Sequence, residues 1–204
     1  GTFNPIHLGH LMLAETAREA LTLDRVLLVP TRQPPHKRVR DLLPGPTRME
    51  IIQLAIRDHS AFVASDIELQ RKGPSYSIDT VSILRRQLPQ ARLFLLVGED
   101  LLTVRWLAWT ELTRLCTVVA VPRPASYSRR GGRRPGARSA RSRRGITPPP
   151  FAAAKGGSAR RAGPFGLPKG GGVKWLPMPQ VEIASSEIRK RRKAGRSIGY
   201  LVPP

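Results

Sequence analysis

Between residues 8 and 121 short, continuous apolar runs alternate with longer stretches of helical period, and few folds accept that alternation. Leu8, Leu11, Ala14, Ala17 and Leu21 recur at helical spacing, so 8–21 is expected to be a helix. "RVLLVP" (25–30) reads as a buried strand stopped by proline, and "TRMEIIQLAIRDH" (47–59) as a helix with Thr47 as its N-cap. "FVASDIEL" (62–69) alternates as a strand. "SYSIDTVSILRRQLP" (75–89) is a loop entering a helix capped by Ser77 or Asp79. "RLFLLVGED" (92–100) and "TVVAVPR" (117–123) are strands flanking a helix over 101–115. The expected fold is α/β, a doubly wound parallel sheet covered on both faces. Ligands bind such sheets beyond the carboxyl ends of the strands, so the chemistry should lie in the loops that follow them.

The pattern fails after Arg123. Residues 125–174 hold thirteen of the 35 Lys and Arg and none of the 14 Asp and Glu, so most of the net charge of +21 is local and +8 remains elsewhere. This segment is rich in Gly, Pro, Arg and Ala and has no period. It cannot bury enough apolar surface to offset its ordering entropy and is expected to be disordered. The eight arginines of 129–144 have no aromatic residue among them to stack bases, which argues against nucleic acid as a partner. Order is expected to return at "VKWLPMP" (173–179), a strand, and at "SSEIRKRRKAG" (185–195), a helix with a capping serine and Gly195 at its end. The chain therefore divides into 1–124, the main part of one domain; 125–174, a basic low-complexity segment; and 175–204, the rest of the same domain.

No apolar run approaches the ~20 residues that span a bilayer, so no membrane is expected as a partner. The one cysteine, Cys116, permits a reducing cytoplasm and reads as a buried small hydrophobe.

The first loop is "GTFNPIHLGH" (1–10). Gly1 and Gly9 would let backbone approach a ligand closely. Helix onset near Gly9 and His10 offers free N–H groups and a positive dipole end, which together favour an anion. His7 and His10 beside it can donate to phosphate oxygens. Taken alone, the pair would be one structural and one exposed histidine.

The series is more specific than its parts. "GTFNPIHLGH", "PPHK" (34–37), "TRMEIIQLAI" (47–56), "GPSYSIDT" (73–80), "LFLLVGED" (93–100), Trp106, "RP" (123–124), "EIASSEIRKR" (182–191) and "YLVP" (200–203) stand in an order that resembles the bacterial nicotinate-nucleotide adenylyltransferase family of the H-x-G-H nucleotidyltransferase superfamily. The resemblance implies a Rossmann-like fold and transfer of the adenylyl group of ATP to nicotinate mononucleotide, releasing pyrophosphate, in NAD biosynthesis. It implies His10 and His7 as catalytic residues, and Thr2, Phe3, His7, His10, Ser185, Ser186 and Arg189 around ATP. For the mononucleotide it implies Tyr76, Ser77, Asp100 and Trp106, with Trp109 as core. His36 and Lys37 would lend charge to phosphates. Mg²⁺ is expected with ATP, held by phosphate oxygens and water rather than by a protein cage. Pantetheine-phosphate adenylyltransferases share only the outer motifs.

The sequence also departs from the family. The strand and first glycine that precede the histidine motif are absent, so the sheet is expected to lack its central strand and to show a gap lined by unpaired backbone, leaving the chain unstable. The family's final helix is absent as well. A frame slip in a GC-rich gene and a true basic insert both account for 125–174, and the oligomeric state stays open.

Overall fold

The computed structural model describes residues 1–35, 41–122, 173–177 and 181–204. Five helices and five strands are described: α1 (Leu8–Leu21), β1 (Val26–Leu28), α2 (Gly45–Ile56), β2 (Phe62–Ala64), α3 (Ser77–Gln87), β3 (Phe94–Gly98), α4 (Trp109–Leu115), β4 (Thr117–Val121), β5 (Lys174–Trp175) and α5 (Ser185–Lys193). A 3₁₀ turn, Glu99–Thr103, follows β3. Every strand pairing among the described residues is parallel, as βαβ crossovers require.

The strands form two sheets, β1–β2 and β3–β4–β5, and no ladder joins them among the described residues. Among the described residues, the outer edge of β1 is met near its carboxyl end. There the Gly1 amino group donates to Val29 O at 2.8 Å and Thr31 N–H donates to Gly1 O at 2.7 Å, the bonding pattern of a parallel bridge.

Helix α1 spans both sheets. Its Ala14 packs with Val26 and Leu28 of β1 and with Ile52, Ile56 and Phe62. One turn on, Ala17 packs with Val119 and Val121 of β4. Small residues at these two positions let the helix lie close to both. On β4 the faces separate with period two. Val118 and Ala120 join Ile78, Val81, Trp109 and Leu112 from α3 and α4, while Val119 and Val121 face α1. Burial on both faces explains why this strand is continuously apolar.

Several boundaries differ from expectation. Helix α2 starts at Gly45 with Pro44 as N-cap, two residues ahead of Thr47, because Pro46 fits the first helical turn, where its missing N–H is not needed. Helix α3 is preceded by Tyr76 at its N-cap, and neither Ser77 nor Asp79 caps it through a side chain. Strand β2 stops at Ala64, and Asp66 O then accepts from Leu69 and Gln70 N–H in a turn. Residues 101–115 are not one helix. Thr103 Oγ1 donates to Asp100 O at 2.8 Å in the 3₁₀ turn, and Ala108 sits at φ +51° before α4 begins. The strand expected over 173–179 is Lys174–Trp175, so a domain boundary after residue 174 cuts β5. The disorder expected over residues 125–172 lies outside the described residues.

Candidate functional site

His7 has extended backbone and is the N-cap of α1; His10 is three residues on. That spacing brings side chains to the same side of a helix start. The two imidazoles stack at 3.7 Å between centroids, and the Phe3 ring meets His10 edge-on at 4.9 Å. The His7 backbone N–H donates to His10 Nδ1 at 3.3 Å. Since Nδ1 accepts, the neutral ring carries its proton on Nε2, and that nitrogen is the one able to donate to a phosphate oxygen.

Gly9 has a different role from the one expected. A Cβ there would meet His7 Nδ1 at 3.2 Å and Cε1 at 3.3 Å, so the space is taken by the imidazole rather than kept for a ligand. Gly1 likewise gives way to the Phe3 ring, 3.1 Å from where its Cβ would stand. Gly9→Ala is expected to tilt His7 against His10 and lower turnover about 10-fold or more, since small misplacements of reacting groups are costly. Thermal melting beside steady-state kinetics checks this: turnover should fall with little change in Tm.

The histidine loop is held from three sides. Asn4, 1% exposed, accepts from Leu43 N–H through Oδ1 at 3.1 Å and donates through Nδ2 to Asp41 O at 3.0 Å. Arg48 of α2 donates from Nη1 to Thr2 O at 2.8 Å. From α5, Arg189 Nη1 donates to Asn4 O at 2.7 Å and Ser185 Oγ to Pro5 O at 2.8 Å. Ser185 therefore does not cap α5, whose N-cap is Ala184. Ser185 and Arg189, two of the three α5 residues expected at the triphosphate, spend these donors on the loop. Ser186 is exposed on the first turn of α5. The free amides expected at the start of α1 are fewer than anticipated. Leu8 N–H donates to Leu201 O at 3.1 Å, which places the "YLVP" segment against the helix end.

A second group gathers after β3 and before α3. Trp106 is half-buried in the connector between the 3₁₀ turn and α4, not on a helix, and its Nε1 donates to Leu101 O at 2.8 Å. It meets Trp109 edge-on at 5.6 Å. Trp109 is buried in the core, as expected, whereas Trp106 and Tyr76 pack at the margin of the same cluster. Asp100 is exposed in the 3₁₀ turn, and Ser77 opens α3. His36 and Lys37 lie outside the described residues. Trp109→Ala should cost about 3–5 kcal/mol of stability as a core deletion. If Trp106 receives the mononucleotide, as the resemblance implies, Trp106→Ala should instead raise its KM, by a loss of about 1 kcal/mol. Melting curves and kinetics of the two variants tell them apart.

The loop after β1 connects the two groups. Thr31 bonds Gly1, Arg32 N–H donates to Ser75 Oγ at 3.2 Å, and Ser75 N–H donates to Gln33 O at 2.9 Å. Arg32 Nη1 also donates to Leu69 O and Arg71 O. Beneath Tyr76, Thr80 Oγ1 donates to the buried Glu68 carboxylate at 2.9 Å and accepts from Arg71, which also pairs with Asp79 at 3.4 Å. Sequence reasoning missed Asn4, Arg32, Arg48, Glu68, Arg71 and Ser75. Each is a single polar residue whose partner lies elsewhere in the chain, and no periodicity marks such a residue. Cys116 stands apart from both groups. It is buried, and desolvation raises its thiol to a pKa of about 11, so it is no nucleophile at neutral pH.

Comparison with known proteins gives a consistent picture. Residues 1–191 match the family model described as cytidylyltransferase-like. A Pelobacter propionicus protein named "Probable nicotinate-nucleotide adenylyltransferase" is 39% identical over 209 residues, covering 100% of this chain and 89% of that protein. A Thermus thermophilus protein of the same name is 37% identical over 205 residues with the same coverage. These alignments run through residues 125–174 as well. The solved Plasmodium falciparum nicotinic acid mononucleotide adenylyltransferase complexed with NaAD superposes with a TM-score of 0.63 at 16% identity, over 97% of this chain and 83% of that one. That likeness shows the doubly wound, Rossmann-like fold.

Proposed function

The chain belongs to the cytidylyltransferase-like family and to its nicotinate-nucleotide adenylyltransferases, and from that membership we infer that it transfers the adenylyl group of ATP to nicotinate mononucleotide in NAD biosynthesis. The products are nicotinate adenine dinucleotide and pyrophosphate. The observation that carries the reading to this chain's own residues is the paired imidazoles at the start of α1, with His10 Nδ1 held by a backbone N–H.

The mononucleotide's 5′-phosphate oxygen attacks the α-phosphorus in line. A new P–O bond forms, the bond to the β-phosphate breaks, and the electron pair leaves with pyrophosphate. Such a transfer needs alignment and charge stabilisation more than covalent help. In our reading His10 Nε2–H donates to the α-phosphate oxygen as charge builds there. His7 holds the His10 ring by stacking and lies beside the same phosphates. The Thr2 and Phe3 backbone and the α1 N-terminus receive the triphosphate. Ser185 and Arg189 act chiefly by fixing the loop, with Ser186 left to face solvent or phosphate. Tyr76, Ser77, Asp100 and Trp106 would receive the mononucleotide, the Trp106 face stacking on the pyridine ring.

Mg²⁺ would enter with ATP. Its ligands would be phosphate oxygens and water rather than a protein cage. When bound, it neutralises triphosphate charge. We place residues 1–124 and 174–204, with β5 whole, in one nucleotidyltransferase domain and the protein in the cytoplasm. Among the described residues no helix is long and apolar enough to cross a membrane.

Acceptor competition tests the substrate assignment. With ATP fixed, nicotinate mononucleotide should give the highest kcat/KM, above nicotinamide mononucleotide and 4′-phosphopantetheine. Preference for phosphopantetheine would overturn the assignment.

A further inference from the structure

Arg48 is 2% exposed, the largest fully buried side chain of the described residues. Its Nε donates to Leu43 O at 2.9 Å and its Nη1 to Thr2 O at 2.8 Å. No carboxylate lies within ion-pair distance of it among the described residues, and those include all 14 Asp and Glu of the chain. Burial alone pulls the guanidinium's pKa below its ordinary value. A buried cation held only by carbonyls is costly unless an anion comes near.

The peptide it grips indicates where that anion would be. The Thr2–Phe3 bond is trans, so its C=O and N–H point to opposite sides. With the carbonyl drawn toward Arg48, the Phe3 N–H is aimed away from α2. Phe3 also sits at φ +43°, a conformation side chains rarely adopt without being held there. The Phe3 N–H has no acceptor among the described residues. The Leu43 carbonyl bonded by Arg48 belongs to the residue whose N–H donates to Asn4 Oδ1. One guanidinium therefore ties residue 43 and residue 2 to the same point, on either side of Asn4.

We propose that Arg48 is a positioning residue for ATP: by fixing the Thr2 carbonyl it aims the Phe3 N–H at the triphosphate, and its unpaired charge favours the anion without contacting it. This rests on the adenylyl-transfer reading above. ATP binding to the whole chain, by titration calorimetry with Mg²⁺ present, and kinetics for both substrates test it. Arg48→Met should weaken ATP binding about 10-fold or more, the scale of a lost charge-assisted bond, and leave the mononucleotide KM within about twofold. Arg48→Lys keeps the charge but not the fork, and should recover part of the loss. If Arg48→Met does not fold, Arg48→Lys carries the test: ATP affinity below that of the unaltered chain at equal mononucleotide KM is expected. ATP affinity equal to the unaltered chain's, or equal losses for both substrates, overturns the proposal. An unaltered chain that binds ATP without transferring it to nicotinate mononucleotide overturns the functional reading and leaves the Arg48 comparison standing. An unaltered chain that binds no ATP overturns both.

Discussion

His10→Ala should lower kcat by about 10²-fold or more while ATP binding falls far less, because in the proposed mechanism the lost donor acts mainly on charge that develops during transfer. The geometry makes the expectation specific. His10 Nδ1 is occupied by the His7 N–H, and the ring is packed between His7 and Phe3, so Nε2 is presented in one orientation. His10→Asn, whose amide can donate in roughly the same region, should lose less. Single-turnover measurements separate the chemical step from binding. An unchanged rate of that step in His10→Ala would remove His10 from catalysis.

Arg189→Ala should be nearly as severe, with about 10²-fold lost in kcat/KM for ATP. The side chain reaches from α5 to the Asn4 carbonyl, 185 residues away in sequence, and Ser185 bonds the next carbonyl in the same loop. Removing the guanidinium leaves a part-buried carbonyl without its donor and releases the segment that carries Thr2 and Phe3. The same geometry ranks the serines. Ser185→Ala should cost several-fold, since Ser185 holds Pro5 O, while exposed Ser186 should tolerate alanine with at most a small change. Loss of activity in Ser186→Ala without loss in Ser185→Ala would reverse this order and return α5 to a direct phosphate role.

Much of this architecture was legible because its physics is periodic. The helix over 8–21 and the strand over 117–121 follow from apolar spacing alone, and the parallel arrangement follows from their alternation. Helix starts were read less well, each for the same reason. Thr47, Ser77 and Ser185 have the chemistry of caps, yet each lies inside the first turn, behind Pro44, Tyr76 and Ala184. Residue type favours a cap but does not fix its position when the neighbouring loop supplies other partners. The stretch 101–115 kept a helical apolar spacing while Thr103 and Ala108 broke the helix locally. A tryptophan placed on that supposed helix is therefore on a connector, though still beside the same cluster.

The site was legible as a set of residues and not as a set of bonds. The H-x-G-H spacing pointed to the histidines, but the reason for its glycine, room for the His7 ring, appears only when the two imidazoles are stacked. Asn4 and Arg48 were invisible in the sequence. Their partners are backbone carbonyls and amides, most of them 37 to 46 residues away, which carry no side-chain signature.

The most direct measurement follows nucleotide products when the 204-residue chain is given ATP, Mg²⁺ and nicotinate mononucleotide. Pyrophosphate and nicotinate adenine dinucleotide should appear in equal amounts, only when both substrates are present, and at a rate at least about 10²-fold lower in the His10→Ala variant. Pyrophosphate without dinucleotide, product formation that does not depend on the mononucleotide, or full activity in His10→Ala would contradict the account.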